Sequence, residues 1–275
     1  MEIKKTLKKI IKLLQVKKTL KANIVLLHPN KRLVEKKIII TGGSRGLGYA
    51  MAKKFVSEGA EVLITGRDID SLKKAAATLA CKYICYDVTD FENMDSFLIE
   101  ADKCLNGVNV LVNNAGISLH EGSIKNVKFE QFDKQIDVNL KGSYFLSQKF
   151  LALYEKNNMT GGSILFLSSE RGQHVDDLPY GLIKAAINSL TQGLAKMLIK
   201  NNIRINAIAP GVTATDMTNI STNDLYADNY ATGRYYLPEE VAEIACFLIS
   251  DASSCLSGQI LYCNNGKSIN YKNRQ

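Results

Sequence analysis

From residue 36 onward the chain alternates short β-rich runs with amphipathic stretches, and few folds accept that order. The runs are KKIII (36–40), EVLIT (61–65), KYICY (82–86), VNVLV (108–112), SILFL (163–167), IRINAIA (203–209) and QILYC (259–263). Helix-period patterns stand between them, among them 47–58, 71–79 and 129–153. Strands that are apolar throughout, rather than alternating, are covered on both faces, as parallel strands joined by crossover helices are. Seven of them with no Pro/Gly-rich linker predict one α/β domain: a doubly wound, Rossmann-type parallel seven-stranded sheet with helices on both faces. That domain is assigned to 33–275, after a basic extension at 1–32. The stretch 212–236 follows neither period and carries Tyr226, Tyr230, Tyr235 and Tyr236, which marks it as a candidate loop over a site.

The net charge of +8 suggests a polyanionic partner until it is located. Eleven Lys and one Arg against Glu2 and Glu35 give residues 1–37 a formal charge of +10, and the remaining 238 residues sum to −2. Ile3, Leu7, Ile10, Ile11 and Leu14 follow helical spacing with lysines around them. Such a helix packs on its own domain or a neighbouring subunit, or uses residues 1–21 to meet an anionic membrane surface or an acidic partner. Nucleic acid is not expected, because the body is slightly acidic and shows no nucleic-acid motif. The apolar run 24–27 is too short to span a bilayer or to form a signal-peptide core, and Ser is missing from residues 1–37, against a transit peptide. The expected location is cytoplasmic, with peripheral contact at the inner membrane face as the alternative. The six cysteines form no CxxC pair and no Cys/His spacing, so they read as reduced, mostly core residues, and no metal site is expected.

In IIITGGSRGLGYAMAKKF, Gly42, Gly46 and Gly48 lie between the first strand and the first helix. Glycines there let the backbone turn tightly and approach a pyrophosphate, which the helix N-terminus attracts. A plain strand-to-helix turn is the competing reading, since the spacing is not GxGxxG. The second strand leads into Arg67, where an acidic residue would suit the ribose hydroxyls of NAD and an Arg suits a 2′-phosphate. Arg45 offers a second guanidinium to the same phosphate. NADP(H) is therefore preferred and NAD(H) is the alternative; Asp68, beside Arg67, argues the other way.

PYGLIKAAINSLTQGLAKML reads as a helix with Pro179 in its first turn, placing Tyr180 and Lys184 on one face. A phenol with a pKa near ~10 is a poor acid–base group at neutral pH, and a neighbouring ammonium lowers it. The pair follows the strand SILFLSS, whose carboxyl end is where a parallel sheet binds ligands.

Together TGGSRGLG, NNAG (113–116), the serines before YGLIK, and Pro210-Gly211 resemble the short-chain dehydrogenase/reductase family, single-domain branch, over about Leu33 to Ile269. The resemblance implies an oxidoreductase that moves hydride between a nicotinamide and a carbonyl or secondary alcohol. It implies catalytic roles for four residues. Asn139 would hold a water that relays protons, and Ser169, rather than Ser168, would hydrogen-bond the substrate oxygen. Tyr180 would be the general acid/base. Lys184 would bind the nicotinamide ribose and lower the Tyr pKa. Cofactor contacts carried over are Gly42, Ser44, Arg45, Gly46 and Leu47 in the turn, then Arg67, Asp87 and Val88. Asn113, Ala115 and Gly116 follow, then Tyr180 and Lys184, and last Pro210, Gly211, Val212 and Thr215. The family also implies a homodimer or homotetramer built on the helices at 129–153 and 179–200.

For the substrate, His174, Asp176 and Asp177 facing a Tyr-rich lid suggest a small polar ketone or polyol; a solvated loop with tyrosines in a subunit interface is the bland alternative. Reduction of a 3-oxoacyl chain on acyl carrier protein is the second function, and a non-catalytic NADP-binding sensor or scaffold the third. An intact Asn139, Ser169, Tyr180 and Lys184 argues against the last.

Overall fold

The computed structural model describes residues 31–269 apart from 229 and 231. The lysine-rich stretch and its amphipathic-helix reading lie outside the described residues. All seven expected strands form: β1 (Lys37–Thr41), β2 (Glu61–Gly66), β3 (Lys82–Cys85), β4 (Val110–Asn113), β5 (Gly162–Leu167), β6 (Ile203–Pro210) and β7 (Ile260–Cys263). They make one parallel sheet in the order β3-β2-β1-β4-β5-β6-β7. The order reverses between β1 and β4, so the loops after these two strands diverge and leave a crevice at the carboxyl end of the sheet.

Helices α1 (Gly46–Ser57), α2 (Ile69–Leu79) and α7 (Pro238–Ile249) cover one face, while α3 (Met94–Leu105), α5 (Gly142–Lys156) and α6 (Pro179–Leu198) cover the other. The strands serve both layers by alternation. Ile38 and Ile40 join Met51, Phe55 and Leu248 in one core, whereas Ile39 between them joins Phe97, Phe150 and Ile187 in the second. This is why β1 reads as an unbroken apolar run.

The helix expected over 129–153 is interrupted. It consists of α4 (Phe129–Gln135), a π-helical segment Ile136–Lys141, and α5. A π segment inserts a residue into the helical ladder and re-aims side chains, and Asn139, which is buried, stands within it. The cysteines also depart from expectation. Cys246 is buried, but Cys85, Cys104 and Cys255 are exposed, because they occupy an edge strand, the outer face of α3 and the turn after α7. No disulfide joins the six.

The start of the domain is pinned by an ion cluster. Arg32 Nη2 meets Glu58 Oε1 at 2.6 Å and Glu243 Oε2 at 3.0 Å, and Lys54 Nζ meets Glu58 Oε1 at 2.8 Å. The Arg32 guanidinium holds the buried Glu58 carboxyl at about 2, well below its ordinary 4.5. A carboxylate depressed on folding stabilises the native state above its unfolded pKa, and that contribution is lost as pH falls from 4.5 toward 2. Glu58→Gln should therefore cost about 3 kcal/mol at pH 7. The difference from wild type in urea melts should shrink steadily between pH 4.5 and 2; a pH-independent difference would remove the charge argument.

Candidate active site

The glycine turn is a cradle closed by backbone contacts. Gly42 and Gly46 take φ of +65° and +56°, a region that side chains disfavour. A Cβ on Gly48 would lie 2.2 Å from the Gly42 carbonyl oxygen, so α1 starts directly against the turn. Across the crevice, Asn114 Nδ2 donates to the Thr41 and Gly42 carbonyls at 2.8 and 3.0 Å, and Thr41 Oγ1 accepts from the Asn114 and Ala115 amides, each at 3.0 Å. Asn114 thus clamps the two loops of the switch point. Sequence reasoning passes over it, although it stands within NNAG, because the clamp exists only once β1 and β4 are neighbours. Asn113 sends its side chain elsewhere, donating to Ser147 Oγ on α5 at 2.9 Å inside the core.

Arg45 and Arg67 are both exposed beyond the carboxyl ends of β1 and β2. Asp68, the residue that argues against a phosphate, is spent structurally, since its Oδ1 caps α2 by accepting from the Ser71 amide at 2.7 Å. Asp87 is folded back onto Thr89, accepting from its amide and hydroxyl at 2.9 and 2.8 Å, and Val88 packs beneath it against Gly142. Ser44 and Leu47 are half-buried in the turn. The loop after β6 lies over it: a Cβ on Gly46 would be 3.8 Å from Thr215 Cβ, and Arg45 Nη1 is 4.0 Å from Asp216 Oδ2. A narrow, amide-lined turn at a helix start with two exposed guanidiniums beside it fits a dinucleotide pyrophosphate and a further phosphate.

The second half of the site is set by β5 and α6. Ser168 is turned into α6, donating to Asn188 Oδ1 at 2.6 Å, whereas Ser169 Oγ accepts from the Arg171 amide at 3.3 Å and is near enough to Tyr180 to pull its phenol pKa down. The geometry therefore brings Ser169 to the tyrosine and leaves Ser168 holding the helix. Gly172 permits this approach, since a Cβ there would be 2.8 Å from the Lys184 carbonyl. Lys184 is buried; its Nζ donates to the Leu167 carbonyl at 2.6 Å and lies 5.4 Å from the centre of the Tyr180 ring. Burial pulls the ammonium from 10.5 down to about 8. Burial also pushes the Tyr180 phenol up, against the lowering pull of Ser169 and Arg171. The phenol therefore stands above its ordinary value because burial outweighs Ser169 and Arg171, while the Lys184 ammonium faces the ring and a carbonyl.

Asn139 reaches the loop after β4, its Nδ2 donating to the Ile117 carbonyl at 2.8 Å and its Oδ1 accepting from the Ile117 amide at 2.7 Å. The side chain thereby bridges the π segment to that loop, and its second N–H and second lone pair remain available. Gly116 lies beside it, and its Cβ position would be 3.3 Å from Oδ1.

The polar segment before Tyr180 is partly self-satisfied. Arg171 forms a two-pronged pair with Asp176 (2.7 and 2.6 Å), and Gly181 leaves the room, for a Cβ there would overlap Asp176. His174 and Asp177 are exposed. Pro210 ends β6 and Gly211 follows it, with a Cβ on Gly211 only 2.7 Å from Tyr236. Val212 packs with Ala227, Tyr230, Tyr235 and Tyr236 in a small core of their own. The tyrosines therefore do not form a common wall over the crevice: Tyr230 and Tyr236 are buried in the base of the loop, and Tyr226 is exposed.

A parallel doubly wound sheet, a glycine turn at its switch point and a Tyr/Lys pair beyond β5 define a dinucleotide-binding oxidoreductase class. A family model described as enoyl-(acyl carrier protein) reductase matches residues 42–268. The 3-oxoacyl-acyl-carrier-protein reductase of Aquifex aeolicus is 31% identical over 246 residues, spanning 86% of this chain and 98% of that one. Galactitol 2-dehydrogenase of Agrobacterium fabrum is 32% identical over 253 residues, again 86% and 98%. A solved 3-ketoacyl-(acyl-carrier-protein) reductase from Brucella melitensis, complexed with NADH, superposes with a TM-score of 0.79 at 30% identity, covering 86% of this chain and 99% of that one. The chain belongs to the short-chain dehydrogenase/reductase family, whose members bind NAD(P)(H), and it is an oxidoreductase acting on carbonyl or CH–OH groups. Among the described residues no helix is long and apolar enough to cross a membrane and no cluster of metal-ligating side chains occurs.

Proposed function

We propose that the chain is an NADP(H)-dependent reductase or dehydrogenase of a small, polar, uncharged carbonyl or alcohol, working in the cytoplasm. The observation that carries the reading is the meeting of Ser169, Tyr180 and Lys184 at the carboxyl end of β5. The nicotinamide, when bound, supplies or accepts the hydride. Ser169 orients the substrate oxygen beside the phenol, and Tyr180, whose raised pKa keeps it protonated at neutral pH, gives that oxygen its proton. Lys184 holds a positive charge behind the ring while its Nζ is fixed by the Leu167 carbonyl. The turn from Gly42 to Leu47 would receive the pyrophosphate, with Arg45 and Arg67 on the 2′-phosphate. Asp87 and Val88 would flank adenine, Ala115, Gly116 and the backbone of Asn113 would line the cofactor, and Pro210, Gly211, Val212 and Thr215 would border the nicotinamide side.

Charge supports the uncharged substrate. The segments 170–177, 212–240 and 264–269 around the site contain three Lys or Arg, and each is paired: Arg171 with Asp176, Arg234 with Glu240, Lys267 with Glu170. An anionic substrate would find no unpaired guanidinium or ammonium in them. Relatives named for 3-oxoacyl-acyl-carrier-protein reduction make that thioester the second reading. NADPH oxidation separates the two: ketoses and hydroxyketones should be reduced at least about tenfold faster than acetoacetyl thioesters, a difference of ~1.4 kcal/mol in barrier. Turnover of the thioesters alone would reverse the assignment, and no turnover of any carbonyl would defeat both.

The phosphate role has its own measurement. Arg67→Ala should weaken NADPH binding about tenfold and leave NADH binding within experimental scatter. Equal losses for both cofactors would show that Arg67 does not read the phosphate. A homodimer or homotetramer is proposed through α5 and α6, which leave Tyr144, Phe145, Leu182 and Met197 exposed; sedimentation at micromolar concentration tests it.

A further inference from the structure

One charged pair beside the site, the buried Glu170 and the partly exposed Lys267, has no part in the chemistry above. Glu170 follows Ser169 directly, yet its carboxylate points into the protein: Oε2 accepts from Asn264 Nδ2 at 3.1 Å and Oε1 from Lys267 Nζ at 3.2 Å. The same Nζ donates to the Tyr230 hydroxyl at 2.8 Å and lies 3.9 Å from the centre of that ring. Tyr230 packs edge-on against Tyr235 and Tyr236, with centroids 5.3 and 6.1 Å away, at the base of the loop after β6. Gly211 keeps the assembly tight, since a Cβ there would be 3.3 Å from Glu170 Oε2. One ammonium therefore joins three segments distant in sequence: the turn carrying Ser169, the base of the 212–236 loop, and the chain after β7.

Only the carboxylate of this pair is buried, so the ammonium keeps part of its hydration while Glu170 depends on its protein partners. The pair does select one arrangement over others, as a misplacement leaves the buried carboxylate short of a partner. The other end of the same loop lies on the glycine turn through Thr215 and touches His120, whose Nε2 is 3.0 Å from the Met217 carbonyl. We propose that Lys267 is a positioning residue, a latch through which the seating of this loop over the crevice and the placement of Ser169 are coupled. The role given to Ser169 rests on the oxidoreductase reading; the latch itself does not.

Hydrogen exchange on the full chain without cofactor tests it, so failure of the NADP reading and failure of the latch give different results. Lys267→Met should speed exchange about tenfold in both 169–173 and 225–236, with β1, β4 and α1 unchanged. Lys267→Arg should restore both segments, because a guanidinium still reaches Glu170 and Tyr230. Tyr230→Phe, which keeps the ion pair, should speed 225–236 alone. Acceleration confined to 264–268, equal acceleration everywhere, or no rescue by Arg would overturn the latch. If Lys267→Met does not fold, Tyr230→Phe decides: unchanged exchange at 225–236 rejects the proposal.

Discussion

Tyr180→Phe should lower kcat/KM for carbonyl reduction about 10³-fold, ~4 kcal/mol of barrier, while NADPH still binds. Phenylalanine keeps the ring between Arg171 and Lys184, whose Cζ and Nζ lie 5.9 and 5.4 Å from its centre, so packing survives and only the proton donor is lost. Steady-state kinetics with a cofactor titration on the same sample checks it, and retained turnover would take the acid role from Tyr180. The wild-type pH profile carries a companion result. Burial has depressed the Lys184 pKa from 10.5 to about 8, so its charge is present below about 8 and lost as pH rises through that value. The alkaline limb of reduction should therefore fall near pH 8, before the phenol, held higher by burial, can titrate. A limb that begins only in the phenol's own range would show that the Lys184 charge is not needed.

Gly48→Ala should weaken NADPH binding about 100-fold, ~2.7 kcal/mol. The added methyl would stand 2.2 Å from the Gly42 carbonyl and 2.5 Å from Asn114 Nδ2, so either α1 retreats or the clamp between the β1 and β4 loops opens. Either movement displaces the amides of the turn. The fold should lose only about 1–3 kcal/mol, as for other overpacked sites. Gly193→Ala on α6 is the control: nothing lies within 4 Å of its Cβ position, and exchanging a mid-helix glycine there should stabilise the chain without touching cofactor affinity. NADPH fluorescence titration distinguishes the two, and normal affinity in Gly48→Ala would mean that the turn is not the binding cradle.

Much of this architecture is legible in the order of residues. Each of the seven strands lies within two residues of its expected bounds, because an apolar run between two helix-period segments has one good solution, a strand covered on both faces. The spacing of Tyr180 and Lys184 likewise depends only on helix periodicity. Choosing Ser169 over Ser168 draws on resemblance; in the structure Ser168 is hydrogen-bonded to Asn188. The break in the helix around Asn139 is not legible, since a π segment is a response to packing rather than to local propensity. Nor is Asn114, whose partners Thr41 and Gly42 are over seventy positions away in sequence.

The sequence alone therefore determined the layers, the strand count, the glycine turn and the shared helix face of Tyr180 and Lys184. All of these follow from periodicity and from short spacings along one element. Only the tertiary structure decided the electrostatics: that burial raises the Tyr180 phenol, that Asp68 and Asp176 are spent on a helix cap and an ion pair, and that Glu170 faces Lys267 rather than the crevice. Charge effects depend on distance and desolvation through space, and neither quantity is encoded in a local stretch of chain.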